Sequence, residues 1–184
     1  MTTTENVQLR RRLKEMTEGG TEPSTHPAQL ETISTQSPHT VRPLQSHFPV
    51  NEYTCGMHVF HFSESETYRD IAGLGVTGVY AGQAFFEWLL ANRLLSEIEE
   101  SGVQQGDLIM YFDSGRWKHV GICGAGNRVV SKWGLGLLYD HDRWQIPEDY
   151  GTEVLFFRPP SRAIALEHFV AYAQSRGVPT ESIV

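Results

Sequence analysis

Cysteine is scarce in this chain: Cys55 and Cys123 are the only two among 184 residues. Two thiols cannot build a disulfide-rich scaffold or supply a four-cysteine zinc site. Long apolar runs are missing as well. Stretches such as Phe85–Phe86 and Trp88–Ala91 fall far short of the roughly 20 residues that a membrane-spanning helix needs. Basic residues are in deficit, with 15 Lys and Arg against 22 Asp and Glu and a formal net charge of −7. That balance argues against a nucleic-acid binder working through a basic surface. Neither nucleic acid nor a membrane is expected as a partner, and no motif asks for a cofactor. The opening residues, Met1 to Arg10, carry no apolar stretch resembling a secretory signal. A cytoplasmic location is the expectation, with export by a signal-independent route as the alternative.

Aromatic residues are absent from positions 1–46, which hold Pro23, Pro27, Pro38, Pro43 and many Ser and Thr. Such a stretch reads as a disordered tail, with one short helix around Gln8–Met16 and a small basic cluster at Arg10, Arg11 and Arg12. A tail of this kind has the option of tethering the domain to a partner protein. Its charges cancel, so the whole −7 lies in residues 47–184. The folded domain is expected over 47–184, starting near Phe48.

Within it, Ala84, Trp88, Ala91, Leu95 and Ile98 recur at helical spacing, which predicts a long helix over Ala81–Glu100. Short strand-like runs follow at Asp107–Phe112, His119–Cys123, Arg128–Trp133 and Glu153–Arg158, separated by turn residues. Ser161 and Gly177 bracket a last helix of about 161–176. Strands this close in sequence pair as antiparallel hairpins, so the class is α+β.

Two segments carry reactive groups. In Asn51-Glu-Tyr-Thr-Cys55-Gly-Met-His58, the cysteine follows a polar stretch and precedes an apolar one, which places it at a helix start. A helix N-terminus lowers a thiol's pKa and favours the nucleophilic thiolate. In Lys118-His119-Val120-Gly121-Ile122, a histidine opens a strand beside a turn. Thiol catalysis needs a thiolate, an imidazole within reach and a third group that orients the imidazole. Cys123 lies four residues beyond His119 on one strand, about 13 Å away at ~3.3 Å per residue, too far to serve as its nucleophile. His58 and His61 stand at i and i+3, but no further ligand completes a metal site, so none is assigned.

Cys55, then Gly106-Asp107-Leu-Ile-Met-Tyr-Phe112, then His119-Val-Gly-Ile122 with a hairpin after it, resembles the NlpC/P60 superfamily of papain-like cysteine peptidases and amidases over roughly residues 50–158. The resemblance implies an antiparallel sheet meander packed against a nucleophile-bearing helix and a long second helix. The family commonly has Asp-Cys-Ser-Gly at the nucleophile, where this chain has Thr54-Cys55-Gly56-Met57. Cys55 would be the nucleophile, His119 the base, and Tyr53 an oxyanion donor.

The third residue stays open. A turn of Gly124–Gly126 sets His119 opposite Ser131, and a turn of Ala125-Gly126 sets it opposite Lys132. A serine hydroxyl accepts the imidazole N–H, whereas a lysine opposes imidazolium formation. Ser131 is therefore preferred, and it is where the family's third residue maps. The Trp-, Tyr- and Gly-rich stretch 131–151 reads as a loop bordering the cleft, with Trp133 as a substrate contact and His141 as a contact or a rival third residue. The function expected from this set is hydrolysis of a peptide or isopeptide amide through a thioester acyl-enzyme. Acyl transfer or deamidation by the same residues, or a non-catalytic binding module on the same fold, are the alternatives.

Overall fold

The structure is a computed structural model and describes residues 3–18, 22–73, 78–134 and 136–180. In chain order the helices are α1 (Thr3–Thr17), α2 (His26–Ser34), α3 (Cys55–Val59), α4 (Glu66–Gly73), α5 (Gln83–Ala91) and α6 (Arg162–Ser175). The strands are β1 (Arg42–Leu44), β2 (Ser96–Ile98), β3 (Leu108–Asp113), β4 (Arg116–Cys123), β5 (Arg128–Lys132), β6 (Leu138–Asp142) and β7 (Glu153–Arg158). They form one antiparallel sheet in the order β1-β6-β5-β4-β3-β7-β2, so the class is α+β.

Helices cover both faces of this sheet. Leu108, Met110 and Phe112 of β3 point to a first face, where they pack with Phe62, Tyr68, Phe85, Phe86 and Phe169 from the helical half of the chain. Ile109 and Tyr111 alternate to the second face and meet Leu9, Leu13 and Met16 of α1 and Leu30 and Ile33 of α2. This double cover explains the unbroken apolar run of β3, because a strand buried on both faces has no polar side to show.

Residues 3–18 and 22–44 are thus not a disordered tail. Leu9, Leu13 and Met16 fall one helical turn apart, make a stripe on α1 and are at most 2% exposed. Arg10, in a basic cluster expected to be a solvated helix face, is buried. Its guanidinium donates to the carbonyls of Pro147, Glu148 and Gly151 and lies over the Trp144 ring, tying α1 to the 147–151 segment.

Two other expectations are corrected. The long helix over 81–100 stops at Ala91. Arg93 turns the chain with φ of 55°, and Ser96–Ile98 then pair with β7 at the sheet edge. The apolar positions Leu94 and Leu95 continued the helical spacing because both still pack inward. The 131–151 stretch is not all loop, since β6 runs through it and pairs with β5 and β1. No helix among the described residues is long and apolar enough to cross a membrane.

Candidate functional site

Cys55 is the first residue of α3, and its neighbours explain why the short helix starts there. The Thr54 hydroxyl accepts the Met57 N–H at 3.2 Å as N-cap and donates to the Ala81 carbonyl at 3.2 Å. Gly56 has no room for a side chain, because a Cβ would stand 2.2 Å from the Ala81 oxygen and 2.7 Å from the Phe86 ring. A serine after the cysteine does not fit this seat, which gives a steric reason for Thr-Cys-Gly-Met here.

α3 packs on β4 and β5 where their pairing ends. The two strands pair at Ile122↔Val130 and Cys123↔Val129. The hairpin turn does have three residues, but they are Ala125–Asn127. Gly124 N–H donates to the Arg128 carbonyl at 2.8 Å, and Gly126 adopts φ of 64°. This shifts the register from both of the turns considered. Continued, it sets Val120 across from Lys132 and His119 across from Trp133. Gly121 permits the close approach, as a Cβ there would meet Val129 at 2.6 Å and Ser131 at 3.0 Å.

The strand ends form a fork: Cys55 and Lys132 come to it, and His119 borders it within reach of the Lys132 charge. The Cys55 sulfur lies by the backbone N–H groups of Val120, Gly56 and Cys55 itself. His119 is the next residue along β4 from Val120, and Lys132 ends β5. Burial pushes the Cys55 thiol up to about 11, although those N–H groups and the Lys132 charge pull the other way. The helix-start argument for an acidic thiol is therefore overridden by desolvation.

His119 leaves β4 on the second face, opposite Tyr111 in the ladder, and is 2% exposed. Its ring stacks on Tyr150 at 4.1 Å and leans on Tyr111 at 5.8 Å. Burial holds its pKa well below the usual imidazole value, and its Nε2 has no hydrogen-bond partner. Among the described residues no hydrogen bond joins Cys55 to His119.

Ser131 and His141 are spent on one another. His141 Nδ1 lies 2.9 Å from the Asp142 carbonyl, which can only accept, so that nitrogen carries the proton. Nε2 must then accept from the Ser131 hydroxyl at 2.8 Å, and that hydroxyl accepts the Trp133 indole N–H at 2.9 Å. All three residues are fully buried. Burial lowers His141 to about 4, which keeps it neutral. Ser131 makes no bond to His119, and Trp133 lies inside the second-face core rather than at a surface cleft.

Lys132 is the group that sequence reasoning set aside. Its side chain is fully buried. Its ammonium donates to the Gly134 carbonyl at 2.7 Å and stands 4.9 Å above the Tyr53 ring. Burial lowers its pKa to about 8, and Cys55 acts in the opposite direction. The signal was the apolar company of Ser131-Lys132-Trp133 in a strand, where a lysine has no solvent to reach.

Tyr53, Met57 and His58 flank Cys55 in sequence and form one wall of a cavity of about 310 Å³, completed by Ser46, Phe48 and Leu138. The Tyr53 hydroxyl is buried near Ser46 without a hydrogen bond of normal geometry. α3 ends at Val59 and His61 sits outside it at φ of 56°, so His58 and His61 do not share a helix face. Among the described residues no group of His, Cys, Asp or Glu could hold a metal ion. Cys123 belongs to the second-face core, pushed up to about 11 by burial. Compared with protein-family models, curated proteins and solved structures, the chain finds no match.

Proposed function

We propose that the protein is a cysteine-dependent hydrolase of an amide bond, peptide or isopeptide, built on a divergent papain-like NlpC/P60-type fold. One observation carries this reading. A single thiol at a capped helix start meets three backbone N–H groups, an imidazole-bearing strand and a buried cation at the fork of β4 and β5. Backbone N–H groups favour the anionic sulfur and are the donors an oxyanion needs.

In the reaction, the Cys55 thiol gives its proton to His119 as the sulfur attacks the amide carbonyl and forms the C–S bond. The C–N bond breaks as His119 passes that proton to the leaving amine, and a thioester is left on Cys55. Water then attacks the thioester while His119 takes its proton, the C–S bond breaks, the carboxylic acid leaves, and His119 returns the proton to the sulfur. The unpartnered Tyr53 hydroxyl is a free donor for the oxyanion. The cavity lined by Tyr53, Met57 and His58, the residues flanking Cys55, supplies the approach.

p-Nitrophenyl acetate tests the reading without knowledge of the substrate. The acetyl group is expected on Cys55, located by mass spectrometry, and not on Cys123. His119→Gln is expected to slow its discharge by water about 10²-fold or more. Acylation of Cys123 instead, or of neither thiol, removes the hydrolase.

A second reading, a non-catalytic interaction module, is favoured by the Cys55 thiol that burial pushes up to about 11 and by the Tyr150 ring stacked on His119. Absence of the Cys55 adduct selects it.

A further inference from the structure

Lys132 is an anomaly in the second half of the sheet. A fully buried lysine ordinarily pairs with a carboxylate. None of the salt bridges among the described residues includes it. Its surroundings hold several titratable groups and no acid. Cys55 and His58 face it from α3, Tyr53 from the segment before α3, His26 from α2 and His119 from β4, and the Tyr150 phenol, kept neutral by burial, faces the Cys55 sulfur from the 147–151 segment. Of these, Cys55 is the group whose charge acts on the Lys132 ammonium in the favourable direction, whereas the imidazoles only become cations. The same neighbourhood concentrates unpartnered buried atoms, with His26 Nε2, Tyr53 Oη, His58 Nε2 and His119 Nε2 all beside this one cation.

We infer that Lys132, and not Ser131, is the third member of the site: its ammonium, held by the Gly134 carbonyl and the Tyr53 ring, is the counter-ion of the Cys55 thiolate. This rests on the nucleophile reading above and assigns its electrostatics to a cation where an orienting acceptor was expected. Lys132 is a positioning residue that acts through the sulfur. Its charge is retained without an acid partner because the aromatic face and the carbonyl dipole both favour an ammonium. The arrangement has a definite pH signature. Below about 8 the lysine is charged and each rise in pH exposes more thiolate. Above it the lysine sheds its proton, the stabilising charge fades, and further gain in thiolate stops.

The test is the rate of iodoacetamide labelling at the Cys55 peptide as a function of pH, read by mass spectrometry on the full chain. In the wild type the logarithm of the rate climbs with pH and levels near 8. Lys132→Arg, which keeps its charge throughout, climbs without levelling. Lys132→Met, close to lysine in length but uncharged, is slower near pH 7 by about ten-fold or more, the equivalent of one pKa unit, and shows no levelling. His119→Gln leaves the levelling in place. Levelling that persists in both lysine variants, or that disappears with His119→Gln, overturns the Lys132 assignment and leaves the nucleophile standing. A Cys55 that no pH labels in the folded protein overturns the assignment together with the hydrolase reading.

Discussion

Ser131 and Lys132 are adjacent in sequence and differ completely in what surrounds them. In a strand, neighbouring side chains leave on opposite faces, so one residue of register decides which of them meets Cys55. Ser131 faces the second-face core and closes the chain from Trp133 to His141. Ser131→Ala strands the buried Trp133 N–H and His141 Nε2, and is expected to cost about 1–3 kcal/mol in urea unfolding. Labelling of Cys55 is expected to stay at the wild-type rate in that variant, which separates a structural serine from a catalytic one. Cys55 and His119 were legible as candidate residue types. Their electrostatics were not, because desolvation depends on what the rest of the chain stacks above them. His141 carried a readable signal in Leu138-Tyr-Asp-His-Asp142, where buried Tyr139 and His141 alternate with the more open aspartates.

At the scale of elements, α1 is the most consequential difference between expectation and structure. Low aromatic content and four prolines made residues 1–46 read as unable to bury enough surface. The three aliphatic residues of α1 succeed because the second face of the sheet was already apolar and lacked a cover. Leu13→Ala is expected to destabilise the protein by about 2–5 kcal/mol, measured by urea denaturation. A disordered tail would register no change. α1 also bears on the site. Through Arg10 it grips the 147–151 segment whose Tyr150 covers the His119 ring. Arg10→Met is expected to speed hydrogen exchange across 147–151, read by mass spectrometry. The strand runs β3, β4, β5 and β7 were legible because their length and turn residues are local properties. The end of α5 was not, since a buried apolar residue serves a helix and an inward-turning loop equally well.

For the whole molecule, buried histidine sets the response to acid. His26, His119 and His141 are at most 2% exposed, and His58 lies largely buried beside Lys132. Burial holds all four below the usual imidazole value, at about 4 for His58 and His141. An unfolded chain titrates its histidines near 6.5, so between about 6.5 and 4 it binds more protons than the folded one. Stability is therefore full above that window and is lost as pH falls through it. His141 alone is expected to contribute on the order of 3 kcal/mol of this dependence. Urea midpoints measured from pH 7 to pH 5 should fall steadily, and His141→Gln should flatten the slope. The sequence by itself determined the α+β class and the succession of hairpin strands β3, β4 and β5, and it offered a thiol and an imidazole as candidates for chemistry. These follow from periodicity, turn chemistry and residue type, all of which act over a few residues. The tertiary structure alone decided that the N-terminal residues cover the sheet, that Ser131 turns away, and that a lysine shares the thiol's side of the fork. Register and burial are set by packing between segments far apart in the chain, and no local pattern encodes them.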